Sequence, residues 1–242
     1  MQHAAVTLFA TVLALIGAAP KDTPTKSQIK PGQQIVAIGD SITQAGGYLK
    51  MIDAVLAENA VRGAKLPPII NVGISGQKAE DLVARFANDV VGKKPAFVTL
   101  SIGINDVWHR LGQPHDENVL AEYKKNVTKM VEMAQASNIK VILLTPTLIN
   151  EDAANEGNAR LKLYVQAMKD IATAKKCQVA DLHQLFLNAL EKKPAGAPEH
   201  WITSDGVHMN DQGDAIMAIG VLRALGLSDQ RIAASHWPAV KK

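Results

Sequence analysis

The stretch QQIVAIGDSITQAGG (Gln33–Gly47) sets the architecture. An apolar run, IVAI, meets Gly39-Asp40-Ser41-Ile42-Thr43, and Gly46-Gly47 then precedes a helical pattern. A short run that is apolar throughout, rather than alternating, fits a strand covered on both faces, as in a parallel sheet. The same pattern recurs, giving expected strands at Gln34–Ile38, Ile69–Val72, Ala96–Ile102, Lys140–Leu144 and Gln178–Leu182. Between them lie core-facing helical stripes: Leu82, Val83, Phe86 and Val90; Tyr123, Val127, Met130, Val131 and Ala134; Leu161, Tyr164, Val165, Met168 and Ile171. Strand and helix repeated this way predict an α/β protein, a three-layer α/β/α sandwich around a mainly parallel five-stranded sheet. Ligands of such sheets bind beyond the carboxyl ends of the strands, so chemistry is expected just after each strand.

The chain has 242 residues, 47% hydrophobic and 20% charged, with 26 basic against 23 acidic side chains and a formal net charge of +3. Disorder is excluded by that balance. Scattered basic residues with only 4% aromatics argue against a nucleic-acid partner. The single cysteine, Cys177, excludes an intrachain disulfide and a multi-cysteine zinc site, and reads as an inert half-buried thiol. From Ala4 to Ala19 the chain carries no charge and ends in small residues. It is shorter than the ~20 apolar residues of a membrane span. Residues 1–19 therefore read as a signal peptide, 20–33 as a linker, 34–228 as the folded domain and 229–242 as a C-terminal tail. The expectation is a secreted or periplasmic protein; the alternative is a buried N-terminal helix in a cytoplasmic one.

The segments after the strands carry the chemistry. Ser41 stands at a strand-to-helix turn, where N–H groups face an oxygen, although Asp and Ser are also ordinary helix caps. Gly73, in Asn71-Val72-Gly73-Ile74-Ser75-Gly76, would let the backbone approach a ligand, and is also a plain turn residue. Asn105, in Gly103-Ile104-Asn105-Asp106, can offer its amide to the same cleft. Ser204-Asp205-Gly206-Val207-His208 precedes the last long helical pattern. Together these supply acyl transfer to serine. His208 can take the Ser41 proton, and Asp205, three residues earlier, can fix the imidazole tautomer. The Ser41 N–H, the Gly73 N–H and the Asn105 amide can face the oxyanion.

GDSIT (Gly39–Thr43), Gly73, GIND (Gly103–Asp106) and DGVH (Asp205–His208), in this order, resemble the SGNH hydrolases, also called GDSL-like lipases and acylhydrolases, in the wording of their bacterial carbohydrate-esterase members. The blocks span most of the chain. The one departure is Ile42 for the usual leucine, a position expected to pack beneath the serine. The resemblance implies a flavodoxin-like fold and ester hydrolysis without metal or other cofactor. It implies Ser41 as nucleophile, His208 as base and Asp205 as its partner, with Ser41, Gly73 and Asn105 forming the oxyanion hole.

Rival patterns are weaker. Gly73-Ile74-Ser75-Gly76 lacks the second glycine of a G-x-S-x-G elbow, where Gln77 stands instead. His109, His115, Asp116 and His200 lie in polar loops without the HExxH pairing, so no metal site is expected. Asp40, Trp108 and Trp201 are candidate substrate contacts, since tryptophan faces suit sugar rings; the tryptophans equally suit the core. The polar loop Trp108–Asn118 lacks the apolar groove of a long-chain lipase. The leading expectation is a secreted serine esterase removing O-acetyl or other short acyl groups from a carbohydrate. Its alternatives are a lysophospholipase or thioesterase for medium chains, and a catalytically silent carbohydrate-binding member of the fold. A small-molecule or carbohydrate ester is the expected partner, with no nucleic acid and no stable membrane span.

Overall fold

A computed structural model describes residues 11–19, 28–59 and 66–237. The first ten residues of the expected leader, linker residues 20–27 and tail residues 238–242 lie outside the described residues. A five-stranded sheet in the order β2-β1-β3-β4-β5 forms the middle layer. Its strands are β1 (Ile35–Gly39), β2 (Ile70–Gly73), β3 (Phe97–Ser101), β4 (Lys140–Leu144) and β5 (Gln178–Ala180), and every pairing is parallel. All five residues of β1 and of β3 are buried. Side chains on both faces of these strands thus leave water, Thr99 and Ser101 of β3 among them.

Parallel pairing forces each connection across a face of the sheet. The connecting helices are α1 (Ser41–Ala45), α2 (Gly47–Asn59), α3 (Ala79–Asp89), α4 (Ile104–Trp108), α5 (Glu117–Ala136) and α6 (Glu156–Lys175). After β5 follow α7 (Leu182–Glu191), α8 (Asp211–Ala224) and α9 (Asp229–Ala234). On one side α2 packs on α8 and α8 on α7; on the other, α3, α5 and α6 pack in sequence. The two long stripes read on α5 and α6 are buried along their length, while on α3 Leu82 and Phe86 are buried and Val83 is half-buried.

The sheet's register aligns Gly39 with Gly73 and Ser101, Ser101 with Leu144, and Leu144 with Ala180. All strands therefore end along one edge. From β1 the chain turns outward to β2 and then returns past β1 to β3, which makes the carboxyl end of β1 the place where the winding reverses. Ser41 lies two residues beyond it. Strand limits differ from expectation by a residue or two. The largest difference is at β5, which stops at Ala180 because Asp181 caps α7 by accepting from the Gln184 N–H at 3.4 Å.

Residues 11–16 are helical, and Val12 and Ile16 are buried in the core. Asn188 of α7 and Lys192 just past it donate to the carbonyls of Ile16 and Ala14, and Arg223 of α8 donates to that of Gly17. Among the described residues, no helix is long and apolar enough to cross a membrane.

Candidate active site

The chain after β1 is folded by its own side chains. Asp40 caps α1, its Oδ1 accepting the Ile42 N–H at 3.0 Å, and Gly46 ends the helix in the left-handed region at φ 68°. Ile42 is buried beneath, as its apolar side chain requires. Ser41 is thereby fixed as the first residue of a short helix, where its N–H has no intrahelical acceptor. Gly73, at the end of β2, lies against this turn. A Cβ there would sit 2.3 Å from the Gln44 nitrogen and 2.9 Å from the Asp40 carbonyl oxygen, so only glycine allows the approach.

Asp205 and His208 come from the segment between α7 and α8. A bridge pairs Thr203 with Met209, the Ser204 N–H donates to the His208 carbonyl at 2.8 Å, and Gly206 takes φ 94° to close the turn. Asp205 Oδ1 accepts the N–H groups of His208 at 2.8 Å and Val207 at 3.0 Å. Its Oδ2 lies 2.6 Å from His208 Nδ1. His208 Nε2 lies 2.9 Å from Ser41 Oγ, across 167 residues of sequence. Burial opposes ionisation of Asp205, but these hydrogen bonds outweigh it and bring its pKa down to about 2. An ionised Asp205 takes the proton on Nδ1 as a donor, which leaves Nε2 free to accept the Ser41 hydroxyl hydrogen.

The three expected oxyanion donors differ in readiness. The Ser41 N–H has no protein acceptor among the described residues. Asn105, on α4 and 8% exposed, gives one amide hydrogen to the Gln77 carbonyl at 3.0 Å and has a second to offer. The Gly73 N–H is already donated, to Asn71 Oδ1 at 2.9 Å, so it serves an oxyanion only by sharing or releasing that bond. Asn71 also donates to the carbonyls of Thr43 and Gln44, tying β2 to α1. Sequence reading missed Asn71 and Gln77; both stand within four residues of Gly73, Asn71 inside the segment it had marked and Gln77 just past it.

Two of the candidate substrate contacts face inward. Asp40 is only 2% exposed, its carboxylate engaged as a helix cap rather than facing a ligand. Trp201 is 7% exposed and packs in the core. Trp108, at the end of α4, is 38% exposed. Ser75 binds the Gln44 side chain through its own N–H. Of the residues considered for a metal, His115 meets Glu117 at 3.0 Å and Asp116 caps α5. Among the described residues, no group of three or more His, Cys, Asp or Glu is placed to hold a metal ion.

Behind Asn105, Asp106 is buried. Its Oδ1 accepts the Ala79 N–H at 3.2 Å, while Oδ2 has no partner among the described residues. Burial, with Asp40 nearby, pushes Asp106 up to about 7. The native state therefore holds a proton that the unfolded state releases near pH 4. From this group stability is fully present below about pH 4 and is lost as pH rises to about 7, at up to ~1.4 kcal/mol per pH unit. Asp106→Asn keeps the acceptor for Ala79 and cannot ionise. Relative to the unaltered protein, its Tm is expected to rise progressively between about pH 4 and about pH 7 and to level off above that; a pH-independent difference contradicts the assignment.

The chain is similar to known proteins over most of its length. Residues 37–216 match the model of the GDSL-like Lipase/Acylhydrolase family. The chain is 30% identical over 221 residues to an acetylxylan esterase of Geobacillus stearothermophilus, covering 82% of this chain and 96% of the relative. Among solved structures, Axe2, an acetylxylan esterase from the same species, matches with a TM-score of 0.73 at 27% identity, over 84% of this chain and 98% of that one. The acetyl xylan esterase AlAXEase matches with a TM-score of 0.71 at 32% identity, over 79% and 98%.

Proposed function

The chain belongs to the GDSL-like lipase/acylhydrolase family, and on that premise we propose that it removes acetyl or other short acyl groups from a carbohydrate through an acyl-serine intermediate. Hydrolysis of carboxylic esters follows from the family and the esterase relatives. The observation that carries the mechanism is the continuous chain Asp205 Oδ2, His208 Nδ1, His208 Nε2, Ser41 Oγ, with links of 2.6 and 2.9 Å.

In the proposed reaction, His208 Nε2 takes the Ser41 proton as Oγ attacks the ester carbonyl. Asp205 holds the ring and stabilises the imidazolium. The Ser41 N–H and the free Asn105 amide hydrogen stabilise the oxyanion, joined by the Gly73 N–H once it yields from Asn71. His208 returns its proton to the leaving alcohol, then activates water to release the acid. The acetylxylan esterases among the relatives support an O-acetyl carbohydrate as substrate. Trp108, exposed at the end of the helix that carries Asn105, supports a sugar ring beside the acetyl group.

Export to the periplasm or medium belongs to the same proposal, supported by the uncharged run Ala4–Ala19 and its small-residue end. Cleavage there would uncover the seat of Ile16 against α7 and α8.

The test compares hydrolysis of p-nitrophenyl acetate, p-nitrophenyl octanoate and acetylated xylo-oligosaccharide. Turnover of acetate above octanoate, with acetate released from the oligosaccharide, is expected. Preference for octanoate contradicts the short-acyl reading, and turnover of no ester contradicts enzymatic function.

A further inference from the structure

Residues 192–210 run from α7 to α8 without a helix or a strand pairing longer than a single bridge. A segment of this length holds one conformation only when specific bonds impose it. Asp205 and His208 lie in it, and their distances to each other and to Ser41 depend on where its backbone is pinned.

The pin is a side chain from the loop after β4. Glu151 is only 3% exposed at its side chain. Its Oε1 accepts the N–H groups of Ile202 and Thr203, each at 2.8 Å, and the Thr203 hydroxyl at 2.7 Å. Its Oε2 accepts the Trp201 N–H at 2.8 Å and meets Lys193 Nζ at 3.4 Å. Three consecutive backbone N–H groups thus converge on one carboxylate. Burial alone would raise the Glu151 pKa, but these donors outweigh it and hold the group below its ordinary range.

The connection continues toward the histidine. Thr203 Oγ1, while donating to Glu151, accepts the Gly206 N–H at 3.1 Å. The neighbouring Asn150 N–H donates to the Gly206 carbonyl at 2.8 Å. Gly206 lies between Asp205 and His208. The Asn210 amide holds the Trp201 and Thr203 carbonyls, each at 2.9 Å, from the far end. Each polar group in this arrangement has its partner, so the loop is fixed by directional bonds where packing alone would let it slide.

We propose that Glu151 is a positioning residue for the catalytic loop: by collecting the N–H groups of Trp201, Ile202 and Thr203, it sets where Asp205 and His208 stand relative to Ser41. The proposal rests on the reading of Ser41, His208 and Asp205 as the catalytic group. A carboxylate in this place acts on the alignment of the base and not on the substrate, so its loss should appear in kcat rather than in KM.

The experiment measures kcat and KM on p-nitrophenyl acetate for Glu151→Gln, Glu151→Ala, Thr203→Val and Ser41→Ala. It also records the far-downfield proton resonance of a histidine Nδ1–H bound to a carboxylate, assigned by its loss in Asp205→Ala. Glutamine keeps the oxygen that accepts from Ile202 and Thr203, and places an amide against the Trp201 N–H. Glu151→Ala is expected to lose about 10²-fold in kcat, the scale set by small misplacements of reacting groups, with KM near that of the unaltered enzyme. Glu151→Gln should recover a large part of that loss. The downfield resonance should broaden or vanish in the alanine variant and persist in the glutamine variant.

If Glu151→Ala does not fold, Thr203→Val decides: it cuts the link to Gly206 and should lower kcat by about tenfold at unchanged KM. Folded Glu151 variants with unchanged kcat and an intact resonance overturn the proposal while Ser41→Ala remains inactive. An active Ser41→Ala overturns the catalytic reading beneath it.

Discussion

Ser41→Ala and His208→Ala are each expected to lower kcat by roughly 10³- to 10⁶-fold, and the double variant to be little worse than either. Non-additivity follows from the geometry. The hydroxyl of Ser41 is a weak nucleophile, and what activates it is the 2.9 Å contact with His208 Nε2. Once either partner is gone, the other has nothing to act on. Residual activity should persist, because the oxyanion donors of Ser41 and Asn105 belong to the backbone and to a separate side chain. Steady-state kinetics on p-nitrophenyl acetate check this. Losses that multiply in the double variant would mean that the two residues act independently.

Asn105→Ala is expected to lower kcat by about 10²–10³-fold, the usual cost of removing one side-chain donor from an oxyanion. The expectation is sharper for this protein than for a site with three unengaged donors. Here the Gly73 N–H is shared with Asn71 Oδ1 at 2.9 Å, which leaves the Ser41 N–H and the Asn105 amide as the immediate donors. Asn105 also holds the Gln77 carbonyl, so truncation loosens the loop after β2. A Tm measured alongside kcat separates the two effects. A loss in kcat below tenfold removes Asn105 from the oxyanion role.

The fold was legible because its signal is local. Strands covered on both faces are mostly apolar: β1 is so throughout, and β3 is apart from Thr99 and Ser101. The candidate catalytic group was legible for a related reason. In a parallel sheet the ends of β1, β2 and β3 are forced to one edge, which brings Ser41, Gly73 and Asn105 together; Asp205 and His208, between α7 and α8, were marked instead by their own spacing and by the family resemblance.

What escaped the sequence is decided by long-range contact. Asp40 and Trp201 carry the right chemistry near the right place, yet the cap at Ile42 and the core around Trp201 turn them inward. Asn71 falls within the expected strand Ile69–Val72, and its bonds to α1 show only when β2 is laid against that helix. Glu151 lies beyond β4 in Asn150-Glu151-Asp152, where no sequence pattern marks it. Its role becomes visible only when residues 201–203, some fifty positions later, are folded onto it.

The most direct measurement is to acid-quench the enzyme during turnover of p-nitrophenyl acetate and map the acetylated peptide by mass spectrometry. The account predicts acetyl on the peptide containing Ser41, absent from Ser41→Ala and accumulating further in a variant slowed at deacylation. Acetyl on another residue, Ser75 above all, or sustained turnover with no acyl-enzyme at any serine, would contradict it.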